Sequence, residues 1–241
     1  MSANRSGWPE GAEPSSAAWT LDGVCRGRTD DLASCADRLG RFLRGLAATD
    51  RTLARWYDED DQPVALDPAA MHALVERSRQ DDDPEGTFGS IVLLHNGQDD
   101  ERGAAIVEIV CGAGSAYVPD TLAVTLPRPD DAPDLYRRDR MIGLLDVAID
   151  AWQPDWCRVR PQHPGAAATD PHSLAALSSW LVYLDHAVYS RAGELPAGVR
   201  ALAREHGELF VLADTPQQLD PPTIDALRAA ITFTPDWTDL A

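Results

Sequence analysis

The stretch FGSIVLLHNGQDDERGAAIVEIVCGAGSAYVPDTLAVTL, residues 88–126, decides the fold. Its apolar residues change from helical spacing to a period of two, which places neighbouring strands near Phe88 to His95, Ala104 to Cys111 and Thr121 to Leu126. Asn96-Gly97, followed by Gln98, Asp99, Asp100, Glu101, Arg102 and Gly103, supplies turn residues between the first two. They form a hairpin whose loop is longer than a tight two-residue turn. In the third strand Leu122, Val124 and Leu126 alternate with Thr121, Ala123 and Thr125, so one face lies on a core. An antiparallel meander follows. His95 stands before Asn-Gly where an apolar or aromatic residue is expected, so the edge of this hairpin is atypical.

Helical spacing surrounds the meander. An amphipathic helix is expected from about Asp30 to Ala47, because Leu32, Cys35, Leu39, Phe42, Leu43 and Leu46 share one face, with Thr29 or Asp30 as N-cap. A short helix follows through Leu53 to Tyr57. Asp67 as N-cap, with Pro68 at the first helical position, starts another in which Met71, Leu74 and Val75 form the apolar stripe. After the meander, a long helix from about Ala132 to Trp152 carries Met141, Leu144, Leu145, Ala148, Ile149 and Trp152 on one stripe and covers the sheet. Trp156 to Val159, Trp180 to Leu184 and Leu209 to Leu212 are expected strands. Pro222 opens a last helix with Ile224, Leu227 and Ile231. Strands and helices come in blocks, so the fold class is α+β with a mostly antiparallel sheet. One domain is expected over residues 18–241, after a flexible lead-in over residues 1–17, with Pro161 to Asp170 as a loop.

Composition narrows the chemistry. The 241 residues carry 39 acidic and 21 basic side chains, for a formal net charge of −18. Nucleic acid and anionic membrane surfaces are repelled by such a chain, while a basic protein is attracted. All 21 basic residues are arginine. Without lysine there is no P-loop, no Schiff base and no lysine-containing nuclease site. The N-terminal stretch has no apolar core of the kind secretion requires, and no run approaches the length of a membrane helix, so a cytoplasmic protein is expected. Cys25, Cys35, Cys111 and Cys157 lack metal-ligand spacing and are expected as small buried apolar side chains, with a disulfide between some pair left open.

No motif supplies a catalytic constellation. Val110-Cys111-Gly112-Ala113-Gly114-Ser115-Ala116 places two glycines after a strand, as nucleotide sites do, but Tyr117 and Pro119 follow where a glycine and a helix are needed. A connection between antiparallel strands accounts for it better than a cofactor turn. The six histidines have no second ligand at helical spacing, and no serine sits in a nucleophile elbow. No catalytic residue, cofactor or metal is expected. What recurs is acid on expected loops: Asp58, Glu59, Asp60 and Asp61 after Trp56-Tyr57; Asp81, Asp82, Asp83 and Glu85; Asp99, Asp100 and Glu101. Solvated loop charge is one explanation and a divalent cation another, although the runs lack EF-hand spacing. A third is mimicry of phosphates, with aromatic anchors beside carboxylates that enter a basic nuclease groove.

Several stretches, in their order and spacing, resemble the immunity protein 52 family. They are Cys35-Ala36-Asp37-Arg38-Leu39 with Phe42-Leu43 and Trp56-Tyr57; Phe88-Gly89, His95-Asn96-Gly97 and Cys111-Gly112; Val118-Pro119-Asp120 leading to Leu126-Pro127; Ala151-Trp152-Gln153-Pro154-Asp155-Trp156; and Trp180-Leu181-Val182-Tyr183-Leu184. The resemblance implies an immunity protein of a bacterial polymorphic toxin system, one that binds and blocks a toxin domain that is often a restriction-endonuclease-like nuclease. It implies a fold and a role but no contact residues. The candidate toxin contacts come from the acid loops instead: Trp56, Tyr57, Asp58, Glu59, Asp60, Asp61, Asp99, Asp100 and Glu101. The rival readings are an acidic scaffold and an enzyme using the Gly112-Ala113-Gly114 turn.

Overall fold

A computed structural model describes residues 18–26, 28–79, 87–100, 102–113, 118–162 and 178–234. The elements run β1 (Trp19–Cys25), α1 (Leu32–Thr49), α2 (Pro68–Arg77), β2 (Ser90–His95), β3 (Ile106–Cys111), β4 (Asp120–Leu126), α3 (Arg138–Trp152), β5 (Trp156–Pro161), β6 (Leu181–Asp185), β7 (Tyr189–Arg191), β8 (Arg200–Ala203), β9 (Gly207–Val211), α4 (Pro221–Ala230) and β10 (Ile231–Phe233). Eight strands form one sheet in the order β2-β3-β4-β1-β5-β6-β9-β8, and β7 pairs with β10 in a small second sheet. Every pairing is antiparallel, and the fold is α+β.

The meander β2-β3-β4 forms as the alternation predicts, with Val92 opposite Ile109 and Ile109 opposite Leu122 on the buried face. Periodicity does not reveal β1, nor the short strands β7, β8 and β10. β1 lies at the centre of the sheet between β4 and β5, where it turns Trp19 and Leu21 into the core. Gly23 explains its tight fit: a Cβ there would meet the Trp156 carbonyl oxygen at 3.0 Å and the Cys157 Cβ at 3.2 Å. A glycine and an aspartate inside seven residues lower strand propensity, so a central strand hides in a weak local signal.

Helices α1, α2 and α3 pack on one face. The α1 stripe buries Cys35, Leu39, Phe42, Leu43 and Leu46, as its spacing requires. Its N-cap is Asp31 rather than Thr29 or Asp30, because the Asp31 carboxylate accepts from the Ser34 N–H at 2.8 Å. Asp30 instead pairs with Arg38 at 2.9 Å. Asp67 caps α2 as expected. The short helix expected over Leu53 to Tyr57 is a 3-10 turn over Arg51–Leu53, capped by Asp50. α3 begins at Arg138, six residues later than expected, since residues 132–137 form turns in which the N–H groups of Leu135, Tyr136 and Arg137 bond three residues back instead of four, with Leu135 and Tyr136 buried. Ile231 belongs to β10, not to the last helix, because α4 ends at Ala230 and the chain pairs with β7.

The second face of the sheet is covered over one half. There α4 and the β7–β10 pair pack Ile224, Leu227 and Ile231 on Val24, Trp156, Val182, Leu184 and Phe210. On the same face Asp22 accepts from Arg158 Nε and Nη2, both at 2.9 Å, and from Arg160 Nε at 3.2 Å. The Arg158 guanidinium also lies over the Trp156 ring, 4.9 Å from its centroid. All four cysteines are buried and free. Burial pushes the Cys25 thiol up to about 12, and a hydrogen bond with Cys35 together with burial raises Cys111, so neither supplies a thiolate near neutrality.

Candidate functional site

Two of the acid loops meet at one end of the sheet. Tyr57 exchanges backbone hydrogen bonds with His95, donating at 2.8 Å and accepting at 3.0 Å, which extends the edge of β2 by one residue pair. The chain then doubles back: the Asp58 N–H donates to the Gln62 carbonyl at 3.0 Å and the Val64 N–H to the Trp56 carbonyl at 2.9 Å. Asp61, at φ 59, takes the left-handed conformation that closes this turn.

His95 is the joint between the loops. Its Nδ1 accepts from the Gly97 N–H at 3.2 Å, so the ring proton is on Nε2, which donates to the Asp58 carbonyl at 3.0 Å and lies 3.3 Å from Asp61 Oδ1. The ring also stacks on Tyr57, at 5.7 Å between centroids and 28° between planes. This explains a histidine before Asn-Gly, where sequence reasoning expects an apolar residue. Gly97 has φ +71, and a Cβ there would lie 2.7 Å from Tyr57 Cε2, so the tyrosine ring occupies the space above it. Asn96 holds the other side. Its Nδ2 donates to the carbonyls of Thr52 and Gly103, and its Oδ1 accepts from Ala105 and Gln98.

The candidate residues divide by what their side chains do. Trp56 is 2% exposed and belongs to the core, leaving Tyr57 as the aromatic ring at the loop. Asp58 organises its own turn: Oδ1 accepts from Gln62 at 2.8 Å and Asp60 at 3.2 Å, and Oδ2 from Arg77 at 2.6 Å. The Gln62 N–H, then the Asp60 N–H and the Arg77 guanidinium, hold its carboxyl below the usual carboxylate range against the opposing effect of burial. Asp100 shapes its own turn in two ways: its Oδ1 accepts from the Arg102 N–H at 3.0 Å, and its backbone carbonyl accepts from the Gly103 and Ala104 N–H groups. Glu59, Asp60 and Asp99 are exposed, and their carboxylates take no ion pair or hydrogen bond among the described residues. Glu101 and the run from Asp81 to Glu85 lie outside the described residues.

A cleft of about 510 Å³ opens beside the second loop, between Arg51, Thr52, Ala54 and Arg55 on one wall and Asn96, Gln98, Asp100 and Gly103 on the other. Among the described residues no group of three or more His, Cys, Asp or Glu is placed to hold a metal ion.

The Gly112-Ala113 turn connects the antiparallel strands β3 and β4. The Gly112 N–H, which a nucleotide phosphate would need, is taken by Asp120, donating to its Oδ1 at 3.1 Å. Asp120 is 2% exposed. Burial first, and the nearby Asp30 charge second, push its pKa up to about 6. Gly114 lies outside the described residues.

No curated protein matches the chain. Among solved structures, the Pseudomonas aeruginosa T6SS protein PA0821 is similar at 12% identity and a TM-score of 0.48, over 81% of this chain and 65% of that one. Among the described residues no helix is long and apolar enough to cross a membrane. The sequence model described as Immunity protein 52 matches residues 22–232, and the chain belongs to that family.

Proposed function

We propose that this chain is an immunity protein that binds a cognate toxin domain, a basic nuclease, and blocks it by occupancy without turnover. Family membership supports the role. The observation that supports the mode of action is the meeting of two acidic loops at one end of the sheet, with Glu59, Asp60 and Asp99 free to face a partner while Asp58, Asp61 and Asp100 hold the loops in shape. Carboxylates gathered in this way steer a basic partner, raising association toward about 10⁸ to 10⁹ M⁻¹s⁻¹ at low salt. The Asp120 carboxylate occupying the Gly112 turn weighs against the cofactor reading.

In this proposal residues 18–241 act as one domain in the cytoplasm, where the toxin would otherwise reach the producing cell's own nucleic acid. The test is expression of the C-terminal domain encoded by the neighbouring toxin gene, with and without this chain. Growth arrest that the chain relieves, together with co-purification, supports the proposal. Arrest that persists, with no complex, refutes it and leaves an acidic scaffold as the better reading.

A further inference from the structure

Among the described residues the exposed large hydrophobics are Phe88, Ile91, Leu93 and Ile106, at 52%, 39%, 40% and 41% exposure, and all four belong to one corner of the sheet. Strand β2 reads Ile91-Val92-Leu93-Leu94, apolar on both faces, although a strand with one wet face should alternate. Val92 and Leu94 point into the core under α1 and α2. Ile91 and Leu93 point the other way, Ile91 beside Val110 and Leu93 beside Glu108, with Ile106 on the same face next to His95. Ile91, Leu93, Ile106 and Val110 thus form a continuous outward patch on two paired strands, and half-buried Thr121, Ala123 and Thr125 of β4 extend it.

The same face further along the sheet is closed by α4 and the β7–β10 pair, whereas no described element covers β2 and β3. The patch, rather than the strand edge, is what remains available. On that edge the Ile91 N–H donates to the Ser78 carbonyl and His95 exchanges both bonds with Tyr57, leaving Leu93 alone between two occupied positions. Addition of a partner strand is blocked, while a side-chain surface is open.

The charge around the patch defines its partner. Glu108 stands within it, and the Asp58–Asp61 loop is held at one end through His95, whose side chain shares the outward face. Arg79, bridged to Ser90, marks the other end, and Arg77 is taken up by Asp58. An apolar centre with Glu108 inside it and the Asp58–Asp61 loop at one end, opposite Arg79 at the other, suits a basic protein whose charge meets the acidic end.

We infer that the outward face of β2 and β3 is the apolar anchor of the toxin-binding surface, taking a basic protein domain whose apolar side chains are flanked by arginine or lysine. This inference rests on the proposed function. The probe is the C-terminal domain encoded by the neighbouring toxin gene, titrated against the full chain, a Leu93→Thr/Ile106→Thr variant and a Leu93→Arg variant, each first checked by thermal melting. Threonine keeps strand propensity and removes apolar area, so the melting point should stay close to that of the unmodified chain. The double variant should bind about 30-fold more weakly or worse, and Leu93→Arg more weakly still, because it adds a like charge against the partner. Unchanged affinity in both variants overturns the inference and leaves the immunity role standing. An unmodified chain that does not bind the domain overturns both. A dimer of the free chain that Leu93→Arg dissociates assigns the patch to a second copy and also overturns the inference.

Discussion

Replacing Asp120 by Asn should make this protein more stable at neutral pH. Asp120 is buried at the start of β4, where its Oδ1 accepts from the Gly112 N–H, and its pKa stands at about 6 instead of the ordinary 3.8, first through burial and then through the Asp30 charge. A raised carboxyl pKa means that the folded state holds a proton which the unfolded chain has released. The favourable contribution is complete below pH 3.8 and is lost as pH rises through about 6. Above that, keeping the carboxylate ionised in place costs on the order of 3 kcal/mol. Asparagine keeps the Oδ1 acceptor and has no charge to desolvate. Asp120→Asn should therefore gain up to about 3 kcal/mol at pH 8, a rise in melting temperature of roughly 6 to 12 °C for a chain of this size. The gain should shrink through pH 6 to 4 and vanish below. Chemical denaturation of both proteins from pH 4 to pH 8 measures it. A difference independent of pH, or a loss of stability at pH 8, would refute the assignment of Asp120 as a buried structural carboxyl.

Three further outcomes are expected. Glu59→Gln/Asp60→Asn/Asp99→Asn should slow association with the toxin domain roughly tenfold at low salt, with the difference disappearing at high salt, as followed by stopped-flow or surface-based kinetics; equal rates at low salt would remove these loops from the encounter. Gly97→Ala should cost about 1 to 2 kcal/mol for its left-handed backbone alone and should displace the Tyr57 ring that a Cβ would meet at 2.7 Å; hydrogen exchange at Tyr57 and His95 should quicken, and unchanged protection would show that the loops are not joined there. Asp22→Ala removes the carboxylate shared by Arg158 and Arg160 and should cost about 3 kcal/mol in urea denaturation; a change within experimental error would mean that the pair contributes nothing to the sheet.

The strong periodicities were legible in the sequence. Leu39, Phe42, Leu43 and Leu46 announce α1, and Leu122, Val124 and Leu126 announce β4, because each buries a single face whose spacing survives in a short window. β1 is hidden by Gly23 and Asp22, whose reasons lie elsewhere in the chain: the first in the close approach of β5, the second in Arg158 and Arg160. The start of α3 is misplaced because Leu135 and Tyr136 are buried from a turn, and burial alone does not distinguish a turn from a helix. At the candidate site the acid loops are plain in the sequence, but their meeting depends on His95 binding Asp58 and stacking on Tyr57, a contact between residues nearly forty positions apart. The role of Trp56 illustrates the same limit, since an aromatic beside an acidic loop reads as an anchor until tertiary packing places it in the core. One signal for the β2–β3 patch was available. The unbroken run Ile91-Val92-Leu93-Leu94 belongs to a strand meant to be covered on both faces.

The most direct test of the central claim is a stoichiometric titration of inhibition. The toxin domain, at a fixed concentration well above the dissociation constant, is mixed with increasing amounts of this protein, and residual nucleic-acid cleavage is measured after binding equilibrates. Blocking by occupancy predicts that activity falls linearly and is abolished at one protein per toxin domain. Inactivation that proceeds with time at far smaller amounts would show turnover, and undiminished cleavage at an equimolar ratio would show no inhibition; either result would contradict the account.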